Sequence, residues 1–180
     1  MFLGLGVTIC VMGITVLLTY MEAYKSSISN ELWAGLPRTP WILSTVITAA
    51  SFLYVSKVWV WDIESVFSEP LSEWAHFVLA GYVLLLTGAV LWVPFTLLSI
   101  RTRQKSFVVF LVLWMTVSGS IVLFVMSLGL DEHGLVKVAS GWLVFHHLVF
   151  DAIWWWNTWQ PNNDALLTIH EAPLFRDVPF

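Results

Sequence analysis

Residues 138–159, VASGWLVFHHLVFDAIWWWNTW, run for 22 positions with a single formal charge. As a helix rising ~1.5 Å per residue, such a run covers the ~30 Å hydrocarbon core of a bilayer. Yet it carries His146, His147 and Asp151. A carboxylate near the bilayer midplane costs about 2.5–3.5 kcal/mol even on lenient insertion scales, so it turns toward protein, a cavity or a ligand. His147 and Asp151 are four residues apart, which places them on one face of an α-helix. Two readings follow: a pair that only hydrogen-bonds within the protein, or a site for a ligand or for protons.

Four more apolar segments precede this one, and short polar joints separate all five. The segments are residues 2–20, 41–61, 74–99, 107–128 and 138–159. The chain therefore reads as an all-α integral membrane protein, a bundle of five transmembrane helices over residues 1–160 with a polar C-terminal tail over 161–180. Composition agrees: with 58% hydrophobic and 11% charged residues there are too few charges to cover a soluble surface. A net charge of −4 argues against nucleic-acid partners. The single cysteine, Cys10, has no partner for an internal disulfide and no metal-site spacing. The N-terminus lacks the basic lead of a signal peptide and is long enough to span, so it reads as a retained first helix.

Several residues admit a dull reading beside a functional one. Lys57 snorkels to the interface from near the end of helix two, or pairs within the bundle. Trp154, Trp155, Trp156 and Trp159 suit an interfacial aromatic belt. Pro94 breaks a backbone hydrogen bond in helix three, while Gly81, Gly88 and the Ser118-Gly119-Ser120 run allow close helix approach. His76, His146 and His147 are candidate haem ligands, because imidazole is a common axial ligand. No Gly-rich phosphate loop, Ser-His-Asp order or paired carboxylates occur, so no catalytic residues are assigned and enzymatic activity is not expected.

Three stretches resemble the TSPO family of translocator and tryptophan-rich sensory proteins. They are Trp33-Ala34-Gly35-Leu36 followed by Pro40-Trp41; Thr87-Gly88 with Leu91-Trp92-Val93-Pro94-Phe95; and Trp142, Phe145, Trp154 and Asn157 of helix five. The chain departs from the family at Val90-Leu91, in the single Pro-Trp opening helix two, and in lacking the closing sterol motif with its tyrosine. A loose sterol-type pattern does run from Leu18 through Tyr20 to Lys25. The resemblance implies a membrane binding, receptor or transport protein, with an interhelical pocket capped by the first joint that receives a flat hydrophobic ligand such as a porphyrin or sterol. Trp33, Trp41, Trp92, Trp142, Phe145, His147, Asp151, Trp154 and Asn157 are the candidate ligand-binding residues. No cofactor is assigned beyond porphyrin or haem as a ligand. The expected partners are the lipid bilayer, a hydrophobic small molecule, and a second copy or a larger membrane complex. The rival reading is a small structural subunit of such a complex, gripping its partner through residues 160–180.

Lys and Arg are retained on the cytoplasmic side of short loops. Lys25, Arg38, Arg101, Arg103, Lys105 and Arg176 fall on one side of a five-span arrangement, with Lys137 alone among the loop bases on the other. Tags in the first joint and at the C-terminus should therefore be reached by a membrane-impermeant reagent from one compartment, and a tag between Asp62 and Glu73 from the other. Labelling of all three from a single side would rule out five spans.

Overall fold

The computed structural model describes residues 2–25, 38–60, 72–102, 106–130 and 134–158. Apart from short caps these form five helices: α1 (Phe2–Lys25), α2 (Arg38–Val60), α3 (Ser72–Thr102), α4 (Phe107–Leu128) and α5 (Gly134–Thr158). No strand occurs among the described residues. Helices α2 to α5 are each long and apolar enough to cross a membrane, which supports a multi-pass integral membrane protein. In hydrocarbon a helix satisfies its own backbone hydrogen bonds, and that is why these sequences form helices.

Several boundaries differ from those expected, among them both ends of α3, which runs from Ser72 to Thr102 rather than 74–99. Helix α2 starts at Arg38 rather than Trp41, which sets Pro40 in the first turn. The missing N–H of a proline is tolerated there, since first-turn N–H groups have no helical partner. Helix α5 starts at Gly134, four residues early, because Leu135 and Val136 extend its apolar run and Val136 is fully buried. Lys137 therefore lies in a helix and not in a loop. Helix α1 runs five residues beyond its expected end at Tyr20, to Lys25. Ser106 caps α4 by accepting from the Val108 N–H at 3.2 Å, and its own N–H donates to Ser99 Oγ on α3 at 3.1 Å.

Burial follows helical period. On α4, Val109, Val112, Thr116, Gly119, Leu123 and Met126 recur every three or four residues and are buried. On α1 the complementary pattern shows: Val7, Val11, Ile14 and Leu18 are exposed along one face, as a lipid-facing stripe requires. Helix α2 is unusual. Its buried side carries Ser44, Thr48 and Ser51 beside Trp41 in the first half, and Val55, Val58 and Trp59 beside Ser56 in the second.

Helices α3 and α4 pack against each other most extensively, with α1 on the outer side of α3 and α2 on α5. Glycine permits the approach of α3 to α4. A Cβ added at Gly119 would lie 2.6 Å from the Gly81 carbonyl oxygen and would also strike the Leu85 backbone. At Gly88 it would meet Thr116 Cγ2 at 2.7 Å and the Val112 carbonyl oxygen at 2.9 Å. Backbone cannot step aside as a side chain can, so these contacts fix the separation and register of the two helices.

Gly119→Val should therefore destabilise the detergent-solubilised protein by about 1–3 kcal/mol, the usual range for overpacking. Gly134→Ala, where nothing lies within 4 Å of the added atom, serves as the control and should leave the melting temperature unchanged. Equal thermal shifts in the two variants would refute the glycine contact as the determinant of α3–α4 packing.

Candidate functional site

Helix α5 leaves α-helical geometry midway. From His146 to Trp155 the backbone follows π-helical geometry, and the Trp156 N–H reaches back five residues to the Asp151 carbonyl. Such wide turns are rare, and they concentrate at functional sites. The consequence for the side chains is direct. On an α-helix, residues five apart point about 140° away from each other. In the π segment His146 and Asp151 come together instead, with Nε2 of His146 3.6 Å from Oδ1 of Asp151. The expected pairing of Asp151 with His147 through i,i+4 spacing is thus corrected: the imidazole that meets Asp151 is that of His146.

Both histidines are held from neighbouring helices. Nδ1 of His146 lies 2.7 Å from Ser44 Oγ on α2. Nδ1 of His147 lies 2.8 Å from Ser120 Oγ on α4. The Ser120 hydroxyl donates its only hydrogen to the Thr116 carbonyl at 2.9 Å. Its oxygen is therefore an acceptor toward the ring, and the tautomer assigned to His147 carries its proton on Nδ1. Nε2 of His147 is left with a lone pair.

One ring nitrogen of each histidine and a carboxylate oxygen of Asp151 lie within 4.8 Å of one another. His146 and His147 are buried, and Asp151 keeps 16% of its side chain accessible. The histidines fall at the midpoint of α5, the depth at which a polar group is most costly.

An aromatic row surrounds the cluster. Phe150 stacks on His146 with ring centroids 5.6 Å apart and planes 19° apart. Trp41 of α2 lies 5.7 Å from both rings, and Trp154 continues the row 5.4 Å beyond Phe150. Phe145 touches Phe150 edge-on at 6.0 Å and Trp142 at 5.3 Å. Trp142 in turn donates its indole N–H to Thr48 Oγ1 at 3.1 Å. Two polar rungs one turn apart, Ser44 to His146 and Thr48 to Trp142, thus lock α2 antiparallel against α5.

Of the expected ligand residues, Trp41, Trp142, Phe145, His147, Asp151 and Trp154 come together around this segment. Trp92 is buried elsewhere in the same core, stacked on Tyr20 at 5.5 Å and edge-on to Trp155 at 5.3 Å. Asn157 is exposed at the end of α5, and Trp33 lies outside the described residues. The haem candidates divide as well. His76 is exposed near the start of α3, whereas His146 and His147 are buried at the middle of α5. At ~1.5 Å per residue these positions differ in depth by roughly 13 Å. Lys57 is exposed in the last turn of α2.

Ser44 and Ser120 were not among the expected site residues. Ser120 is more than a small residue at a helix contact, because its hydroxyl orients His147. A signal for Ser44 exists in the spacing of Trp41, Ser44, Thr48 and Ser51, a polar stripe at helical period on a spanning helix. No family model, curated protein or solved structure matches the chain.

The π register makes a measurable claim about coupling. In chelator-washed protein, a double-mutant cycle of His146→Gln with Asp151→Asn should give an interaction energy within the ~0.5–3 kcal/mol typical of touching residues. The cycle of His147→Gln with Asp151→Asn should give less. A larger coupling for the 147/151 pair would restore the α-helical register and refute the arrangement described.

Proposed function

We propose that the protein is a multi-pass membrane protein that binds a flat hydrophobic ligand, porphyrin- or sterol-like, along the α2–α5 face. One observation carries this reading: partly exposed aromatic rings stand beside hydrogen-bonding groups near the middle of α5. Phe145 is 44% exposed, and Trp142, Phe150 and Trp154 are half-buried, so their faces are not sealed by the bundle. Aromatic faces stack on a planar ligand, while a few fixed polar groups orient its edge. His146, His147 and Asp151 are those groups. A polar cluster serving stability alone is a poor bargain in hydrocarbon, because apolar residues would fill the same volume without desolvation. The motif resemblance to TSPO proteins points to the same ligand class. Transport of the ligand, and a five-span topology with the basic loops and C-terminus on the cytoplasmic side, belong to the same proposal.

Titration with free-base protoporphyrin IX, read as quenching of tryptophan fluorescence, tests it. Phe145→Leu and Phe150→Leu should each weaken binding by ~0.5–1.5 kcal/mol, the value of an aromatic contact. Trp114→Leu, on the lipid-facing side of α4, should leave it unchanged. Equal affinity in all three variants and the parent would reject this face as the binding site.

A further inference from the structure

We propose that His146, His147 and Asp151 form a binding site for one divalent first-row transition-metal ion, with Ser44 and Ser120 orienting the two imidazoles. The donor set is two neutral imidazole nitrogens and one carboxylate oxygen. That combination suits zinc or ferrous iron, whereas calcium and magnesium take oxygen ligands. Distances support it. An ion equidistant from three atoms 4.8 Å apart would sit about 2.8 Å from each, against metal–ligand bonds of ~2.0–2.2 Å. Side-chain shifts of under about 1 Å close that gap. The His146–Asp151 separation of 3.6 Å is already near the ligand–ligand spacing of a compact site.

The outer contacts are those a metal site needs. Metal-bound histidines donate their second N–H to a fixed acceptor, which sets the tautomer and aims the free lone pair. His147 does this through Nδ1 to Ser120 Oγ, whose own hydrogen is committed to Thr116. Ser44 holds the same atom of His146. The π turn gives the geometry a cause, since without it Asp151 would point away from His146. Three protein ligands leave at least one position open. Asp151 supplies only one negative charge to a dication, so the open position favours an anionic or hydroxide ligand.

The proposal does not depend on a porphyrin-type ligand, and its test omits one. The full chain, purified in mild detergent on a tag without histidine and washed with chelator, is titrated with Co(II). The expected result is one equivalent per chain, with visible d–d bands, displaced by Zn(II) and unaffected by excess Mg(II). Ser120→Ala keeps all three ligands and should weaken Co(II) binding about 10–100-fold, the usual effect of losing an outer contact. His146→Gln/His147→Gln should abolish the bands. Absence of a saturable site in the parent overturns the proposal. So does a site that survives in the double variant, which places the ion on other residues such as His133 or His170, or one of unchanged affinity in Ser120→Ala, which removes the orienting contact from the assigned site.

Discussion

Hydrocarbon offers no hydrogen bonds, so every polar group placed in the membrane must be satisfied by the protein itself. Around His146, His147 and Asp151 this requirement dictates the arrangement of three helices. Ser44 on α2 and Ser120 on α4 each meet one imidazole, and Thr48 accepts the Trp142 indole N–H one turn away. Individually such bonds contribute modestly, averaging ~0.6 kcal/mol in membrane proteins. Their effect on register is larger. Sliding α2 or α4 by one residue would strand an imidazole, and an orphaned polar group costs several times what a formed bond contributes.

The same cluster depends on packing remote from it. Gly81, Gly88 and Gly119 bring α3 and α4 to backbone contact, which sets the height of α4 in the bundle. Ser120 directly follows Gly119, so the residue that orients His147 is positioned by a contact on the next face of its own helix. The bundle thus has two regimes. Helices α3 and α4 meet at backbone contact through glycines, whereas α5 is joined to α2 and α4 by the hydrogen bonds of His146, Trp142 and His147. Helix α4 belongs to both, and it transmits the geometry of one to the other.

Within α5 the π segment resolves a conflict between covalent spacing and chemistry. His146, Phe150 and Asp151 are spaced by four and five residues, which an ordinary α-helix spreads over two faces. Widening the turn gathers the imidazole, the stacked ring and the carboxylate on one side. The departure from α-helical hydrogen bonding is held in place by contacts on both flanks, Trp41 from α2 and Trp92 against Trp155 from α3.

Helix number, fold class and the exceptional character of α5 were legible in the sequence alone, because hydrocarbon imposes one length and one polarity on any spanning helix. His147, Asp151, Trp41, Trp142 and Trp154 were also singled out on local grounds. Their grouping was not legible. A periodicity argument assumes 3.6 residues per turn, and that assumption paired Asp151 with His147 when the π turn brings it to His146. Nor could sequence show which serines meet which histidines. Ser44 lies 102 residues from His146 and Ser120 lies 27 from His147, so only helix packing decides those pairings. Trp92 illustrates the same limit from the other side. A motif ranked it with Trp41, but the bundle turns its ring toward Tyr20 and Trp155, because a spanning helix specifies a face only relative to the neighbours it meets.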